Sequence, residues 1–375
     1  REEVQEIIPM TSGENSYLAD FTSNQTEADQ FPFTIWAKMV REVLSDSRIQ
    51  LMTNPPCGGI MSLRQSIAGY LKDFRGMTVQ PEQIIIGAGT EYLYGLLIQL
   101  LGERNMYGVE NPGYHKVAKI YKSMGVPYCY LNMDHAGVRM DELEEKKVQI
   151  LHISPSHHFP TGVVMPVSRR YELLGWAAGD SKRYIIEDDY DSELRLRGKP
   201  IPTLQSMDVS GKVIYMNTFT KTLSSTVRIS YMVLPESLLE VYRRDCSFYS
   251  CTVSRIDQRI LNEFIRDGYF ERHLNKMRMH YRAKHDLLLA ELEPFKKAFT
   301  ISGEDAGLHL LLTARGAVTE AQLLSAATEA GVKVYGMSEN MVETDAPKAT
   351  ILLGFGSVSE PEMKEGLHRL QKAWL

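Results

Sequence analysis

Cysteine is scarce: there are four in 375 residues, Cys57, Cys129, Cys246 and Cys251, irregularly spaced and with no C-x-x-C pair. That excludes a disulfide framework and the paired thiols of a zinc or dithiol site, and it reads as reduced thiols in the cytoplasm. Long apolar runs are missing too. The most apolar stretch is residues 95–101, far short of the ~18 residues a membrane span needs, and no signal-peptide pattern opens the chain. Nor is there an excess of positive charge. Lys plus Arg number 42 against 47 Asp plus Glu, a net charge of −5, so this chain alone has no broad attraction for a nucleic-acid backbone. Internal repeats and low-complexity segments are also absent.

What is present is ordinary globular composition, 43% apolar and 24% charged with 27 Gly and 16 Pro. At one domain per ~150 residues the length suits two or three domains and a large core. The 18 methionines read as core filling. The chain opens Arg-Glu-Glu-Val-Gln-Glu, without a turn or core signal, and reads as a fragment cut in a linker. Residues 1–30 are polar, and a helical pattern follows over 33–44. From there short apolar runs alternate with amphipathic stretches. Strands are predicted at 83–86, 106–109, 126–131, 148–153, 184–187, 213–216 and 229–234, with a helix over 92–101. Such alternation predicts a mostly parallel sheet with helices on both faces. A long helix is predicted over 269–292. Beyond it, strands at 308–312, 333–335 and 351–355 and helices at 320–330 and 360–374 suit a smaller α+β domain.

Chemistry concentrates in two segments. Asn217-Thr218-Phe219-Thr220-Lys221-Thr222-Leu223 follows an apolar strand, with Arg228 seven residues after Lys221. Hydroxyls and a guanidinium can hold a phosphate, and a poorly solvated lysine beside them is neutral enough to form a Schiff base. Alone, such a loop is ordinarily a solvated turn. The second segment, Ile186-Glu187-Asp188-Asp189-Tyr190-Asp191, ends a strand in carboxylates, where open α/β sheets put ligand groups. A pyridoxal phosphate ring needs a carboxylate opposite its pyridine nitrogen, and Asp188 is the choice for it; the alternative is a solvated acidic loop.

In this combination the chain resembles fold-type I pyridoxal-phosphate enzymes, specifically the aminotransferase-like effector domain of MocR/GabR bacterial transcription regulators. The resemblance covers almost the whole chain. It rests on Gly87-Ala88-Gly89-Thr90, Asn111-Pro112-Gly113-Tyr114, Pro155-Ser156-His157-His158-Phe159-Pro160-Thr161-Gly162, the run from Ile186 to Glu193, Thr218-Phe219-Thr220-Lys221 and Arg228-Ile229-Ser230-Tyr231. It implies a large cofactor-binding domain over 31–265, whose first helix packs on a small C-terminal domain over 266–375, after a linker over 1–30. It implies pyridoxal 5′-phosphate as cofactor, with Lys221 forming the Schiff base and Asp188 pairing with the pyridine nitrogen. Tyr190 would bond the ring hydroxyl and Tyr114 would stack on the ring. Ala88, Gly89, Thr90, Thr218, Thr220 and Arg228 would surround the phosphate. No metal site is expected.

Departures from the pattern sharpen the reading. Phe159 stands where many aminotransferases carry an asparagine before Pro-Thr-Gly, and Asn54 where relatives have a tyrosine that reaches the partner subunit's phosphate. Near Ser357, where amino-acid-binding relatives place an arginine for the substrate carboxylate, there is none. A serine hydroxyl contributes ~0.5–1.5 kcal/mol net and orients less than an arginine fork. Lys116, His158 and Ser357 are the candidates for effector contact, with His115 and His157 weaker ones. The expected function is therefore effector sensing, with a small amino acid such as GABA or D-alanine, or pyridoxal phosphate itself, controlling a winged-helix DNA-binding domain outside these residues. The expected assembly is a cytoplasmic homodimer, with little or no transaminase turnover. The alternative is a free-standing aminotransferase of amino-acid metabolism.

Overall fold

The computed structural model describes residues 17–23, 26–45, 48–196, 201–304, 307–342 and 348–375. Most of the predicted linker, residues 1–16 and 24–25, lies outside the described residues. In chain order the strands of the first part are β1 (Ala19–Asp20), β2 (Ile84–Gly87), β3 (Tyr107–Asn111), β4 (Tyr128–Asp134), β5 (Gly137–Val138), β6 (Ile150–Ile153), β7 (Tyr184–Asp188), β8 (Val213–Thr218) and β9 (Ser230–Val233). All but β1 join one sheet in the order β2-β9-β8-β7-β6-β3-β4-β5. Strands β8, β7, β6, β3 and β4 pair in parallel, and β2 runs with them because β9 lies antiparallel between β2 and β8. The central strands are apolar over most of their length, turning polar towards their C-terminal ends, and all but Tyr184 of their residues are buried, as suits a sheet covered on both faces. Helices Thr90–Leu101, His115–Ser123 and Glu236–Asp245 close one face through Leu93, Leu97, Tyr121 and Leu239. Helix Val167–Ala178 closes part of the other through Leu173 and Trp176. This is the mostly parallel α/β architecture that the alternation predicts.

The C-terminal part holds β10 (Phe299–Ser302), β11 (His309–Ala314), β12 (Val332–Lys333), β13 (Tyr335–Gly336) and β14 (Thr350–Gly354). An antiparallel sheet, β10-β11-β14-β13, packs against helices Tyr269–Glu291, Glu320–Glu329 and Glu360–Trp374. The last two start on capping boxes, Thr319 with Gln322 and Ser359 with Glu362, which satisfy donors that a helix N-terminus leaves open.

Three expectations need correction. The single strand predicted at 333–335 is two: β12 pairs in parallel with β1, while β13 pairs with β14. The N-terminal segment, read as linker up to residue 30, contributes Ala19 and Phe21 to the core of the C-terminal part. Gly354 donates its N–H to Phe21 O at 2.7 Å, and a Cβ there would stand 2.6 Å from Ser23 O, so only glycine lets the segment cross β14. The first helix, Phe33–Ser45, packs through Met39 and Val43 on Ile260 of helix Arg255–Arg266, within the predicted large domain. Its apolar stripe finds the nearer apolar face.

Candidate functional site

The forward-running strands deliver their C-terminal ends to one edge: β2 into Gly89-Thr90, β3 into Gly113-Tyr114, β7 into Asp188 and Tyr190, β8 into Thr220-Lys221. Open α/β sheets bind ligands at this edge. Between these ends lies a cavity of about 720 Å³. It is lined by Gly89, Thr90, Tyr114, Lys116, Asp188, Tyr190, Thr218, Thr220, Lys221 and Arg228, ten sequence candidates that the fold brings together from distant segments.

Three parts can be distinguished. The first is an anion cup. Gly89, at φ 88°, caps the helix Thr90–Leu101, and a Cβ on it would lie 2.4 Å from Arg228 Nη2. Glycine thus gives the Arg228 guanidinium room over the first turn of the helix, where it meets Glu91. Arg228 itself has φ 54°, the left-handed region that residues other than glycine seldom adopt, and its guanidinium lies over Gly89. Thr218 Oγ1 lies 2.8 Å from Thr220 Oγ1 and accepts from Ser230 Oγ at 2.9 Å. Ser224, Ser225 and Thr226 add hydroxyls at the rim.

The second part is the carboxylate. Asp188 Oδ2 accepts the Tyr94 hydroxyl at 2.6 Å and lies 3.5 Å from His152 Nε2, while His152 Nδ1 meets Tyr121 Oη at 2.7 Å. This chain of rings fixes Asp188 facing the cavity. The third part is the amine. Burial lowers the Lys221 ammonium below its ordinary value, against the charge of Asp191, which raises it. Tyr190 Oη lies 3.2 Å from His157 Nδ1, which also meets Asp191 Oδ2 at 2.8 Å. Gly307 and His309 bring the C-terminal part against this pair. A Cβ on Gly307 would lie 2.2 Å from His157 Cε1, and the His309 ring is 5.4 Å from that of His157.

The acidic run is not a solvated loop. Glu187 accepts the N–H groups of Leu204 and Gln205 at 2.8 Å. Asp189 pairs with buried Arg75 at 2.7 Å and accepts from Tyr215 Oη at 2.7 Å. Glu193 accepts from Tyr70 Oη at 3.2 Å and Asn217 Nδ2 at 3.1 Å. Asp188 alone of these carboxylates lines the cavity.

Other candidates fall elsewhere. Ala88 does not line the cavity; its N–H goes to Thr252 Oγ1 at 2.9 Å. Tyr114 stands at the mouth, 53% exposed and edge-on to Phe159. Lys116 lines the cavity but is paired with Glu91. His158 lies beneath the floor, hydrogen-bonded to Thr161 Oγ1 at 2.6 Å and 3.4 Å from Glu110 Oε2. Ser357 is exposed on the bend after β14, away from the cavity. Asn54 is exposed, its carbonyl held by Arg255. No arginine of the C-terminal part lines the cavity among the described residues.

Sequence reasoning missed Glu91, Tyr94, Glu110 and His152, and a wall made by Thr26, Glu27, Ala28, Phe31 and Phe33. A histidine near the end of the apolar strand β6, and a tyrosine four residues after Thr90 on the same helix face, were the available signals.

No family model matches the chain. It is 36% identical over 368 residues to the uncharacterized HTH-type transcriptional regulator YdeL of Bacillus subtilis, covering 98% of this chain and 79% of that protein. It is 31% identical over 357 residues to the probable rhizopine catabolism regulatory protein MocR of Rhizobium meliloti, covering 95% and 72%. Among solved structures, an archaeal alanine:glyoxylate aminotransferase superposes with a TM-score of 0.83 at 25% identity, covering 94% of this chain and 90% of that one. Fold-type I aminotransferases share this architecture.

Proposed function

The chain belongs to the MocR family of HTH-type transcriptional regulators, and from that premise we propose that these residues are its ligand-sensing part, taking pyridoxal 5′-phosphate at Lys221 and a small amino acid as effector. The observation that carries the reading is the meeting, in one cavity, of a buried amine of lowered basicity, a carboxylate held by Tyr94 and an anion cup. The residues fit the cofactor. Gly89 makes room for the Arg228 guanidinium where a Cβ would clash with it, and threonine and serine hydroxyls line the cavity beside it.

Thr90, Thr218, Thr220 and Arg228 would hold the phosphate. Asp188 would hold a proton on the pyridine nitrogen, and Tyr190 would bond the ring hydroxyl. Lys221 Nζ would carry the covalent link. When bound, the group supplies an electrophilic carbon with which primary amines condense and a ring that withdraws electrons. Burial favours neutral Lys221 Nζ, the form able to act as a nucleophile. Tyr114 at the mouth is a side chain an effector would meet, while Lys116 is paired with Glu91 and Ser357 lies away from the cavity. DNA contact is assigned to a helix-turn-helix segment of the kind its relatives' names record, and the active assembly to a homodimer.

The test is reduction with borohydride after addition of pyridoxal phosphate, followed by peptide mapping. The adduct is expected on Lys221 and absent from Lys221→Ala; an adduct mapping elsewhere would refute the site. Among free amino acids added to the loaded protein, an effector should shift the absorbance without keto acid appearing over seconds. Rapid keto acid release would favour a free-standing aminotransferase instead.

A further inference from the structure

The charges around the anion cup do not stop at Arg228. Glu91, on the first turn of the helix Thr90–Leu101, turns its carboxylate back over Gly89. Its Oε2 lies 2.8 Å from Arg228 Nη2, and its Oε1 accepts from Lys116 Nζ. A Cβ built on Gly89 would stand 2.4 Å from Arg228 Nη2 and 2.9 Å from Glu91 Oε2. Guanidinium and carboxylate therefore meet directly over the residue that opens the helix N-terminus. All three charged side chains line the cavity.

The donors suited to a phosphate are thus answered by an anion belonging to the chain. Burial raises the Glu91 carboxyl, but hydrogen bonds from Lys116, from its own backbone N–H and from Arg228 outweigh it and hold the group at about 2. It stays charged through the neutral range, and acidification within that range does not release it. A phosphate monoester carries more negative charge than a carboxylate and offers three acceptor oxygens, so it can compete for Arg228 and Lys116. It then meets Glu91 as a like charge.

We propose that Glu91 sets the affinity for phosphorylated ligands: a phosphate monoester reaches Arg228 and Lys116 only by displacing the Glu91 carboxylate, so the site takes such a ligand reversibly, according to its free concentration. This rests on reading the cup as the phosphate subsite of pyridoxal phosphate. It adds that occupancy itself is a variable the protein can report.

The experiment compares equilibrium binding of pyridoxal phosphate and of unphosphorylated pyridoxal by the full chain and by Glu91→Gln and Glu91→Ala. Both variants should bind pyridoxal phosphate about tenfold more tightly, the scale set by two part-exposed ion pairs, and pyridoxal unchanged. Inorganic phosphate should compete at correspondingly lower concentration in the variants. Unchanged or weaker binding of pyridoxal phosphate by variants with unaltered melting would overturn the proposal. So would an equal gain for pyridoxal, since the effect would then not run through the phosphate. If no protein binds pyridoxal phosphate at all, the reading of the cup falls, and this proposal with it.

Discussion

At the cavity floor Glu110, and beneath it His158, are buried against each other with opposite consequences for pH. Burial pushes the Glu110 carboxyl up to about 8, with the Ser154 N–H opposing and the charge of Asp188 adding to it. Burial and the neighbouring His157 push the His158 imidazole down to about 3. For Glu110 the folded state binds the proton more tightly than the unfolded chain, whose glutamates titrate near ~4.3. Its stabilising contribution is complete below that value and is lost as pH rises through about 8. His158 has the reverse sign: its contribution is present above the unfolded value of ~6.5 and is lost as pH falls towards its folded one. Glu187 and Glu193, each pushed to about 7 chiefly by burial, share the slope of Glu110. Urea unfolding between about pH 7 and 8, above the range in which unfolded His158 takes up its proton, should therefore show stability declining with pH, and less steeply in Glu110→Gln. An identical slope in the variant would mean that Glu110 is ionised in the native protein. None of this was readable from the sequence. Glu110 precedes Asn-Pro-Gly like any turn-flanking acid, and only β3 and the Ser154 loop make it a buried one.

At the scale of elements, the segment from Thr26 to Phe33 does what its composition concealed. It is polar and short of apolar periodicity, yet it walls the cavity and is tied to the helix Tyr269–Glu291 through Glu27. The Glu27 N–H donates to Tyr281 Oη at 2.9 Å, Oε2 meets His280 Nε2 at 2.6 Å, and Oε1 accepts from Lys284 Nζ at 2.7 Å. The Lys284 side chain is only 1% exposed; besides Glu27 it donates to Gly356 O at 3.1 Å. Removing the carboxylate leaves an ammonium in the core with one carbonyl, and breaking a buried pair from one side costs up to ~3–5 kcal/mol. Glu27→Ala should thus lower unfolding free energy by about 3 kcal/mol, and adding Lys284→Met should recover much of it because no buried charge is then left unpaired. If the double variant is as unstable as the single one, the segment is held by its backbone and by Ala28, Phe31 and Phe33. The sequence displayed helices such as Tyr269–Glu291 and Glu360–Trp374, where one apolar face is buried. It did not display this strap, whose hold is ionic.

For the whole molecule, the parallel sheet, the cup and Asp188 were legible because each depends on local pattern: apolar runs, a glycine before a helix, a lysine among hydroxyls. The partners of Asp188 and Lys116 were not, since pairings such as Tyr94 with Asp188 span 94 residues and follow from packing. The same reasoning bears on assembly. Several large apolar side chains remain outside: Ile49 is 86% exposed, Met52 72%, Phe248 75% and Phe33 66%. Arg255 ties the carbonyls of Thr53 and Asn54 to the start of its helix, Thr252 holds the Ala88 N–H next to the cup, and Phe33 lines the cavity. Isolated apolar residues on a surface need no explanation, but Phe33 is exposed at the cavity itself, where a partner surface would cover it. A two-fold pairing that covers it would be self-complementary and would shield the mouth of each cavity. Sedimentation of the proposed homodimer should give twice the 42.6 kDa of the chain, and Phe248→Glu should shift it towards monomer while weakening retention of pyridoxal phosphate. A wild-type monomer that keeps the cofactor bound would show that one chain completes the site by itself.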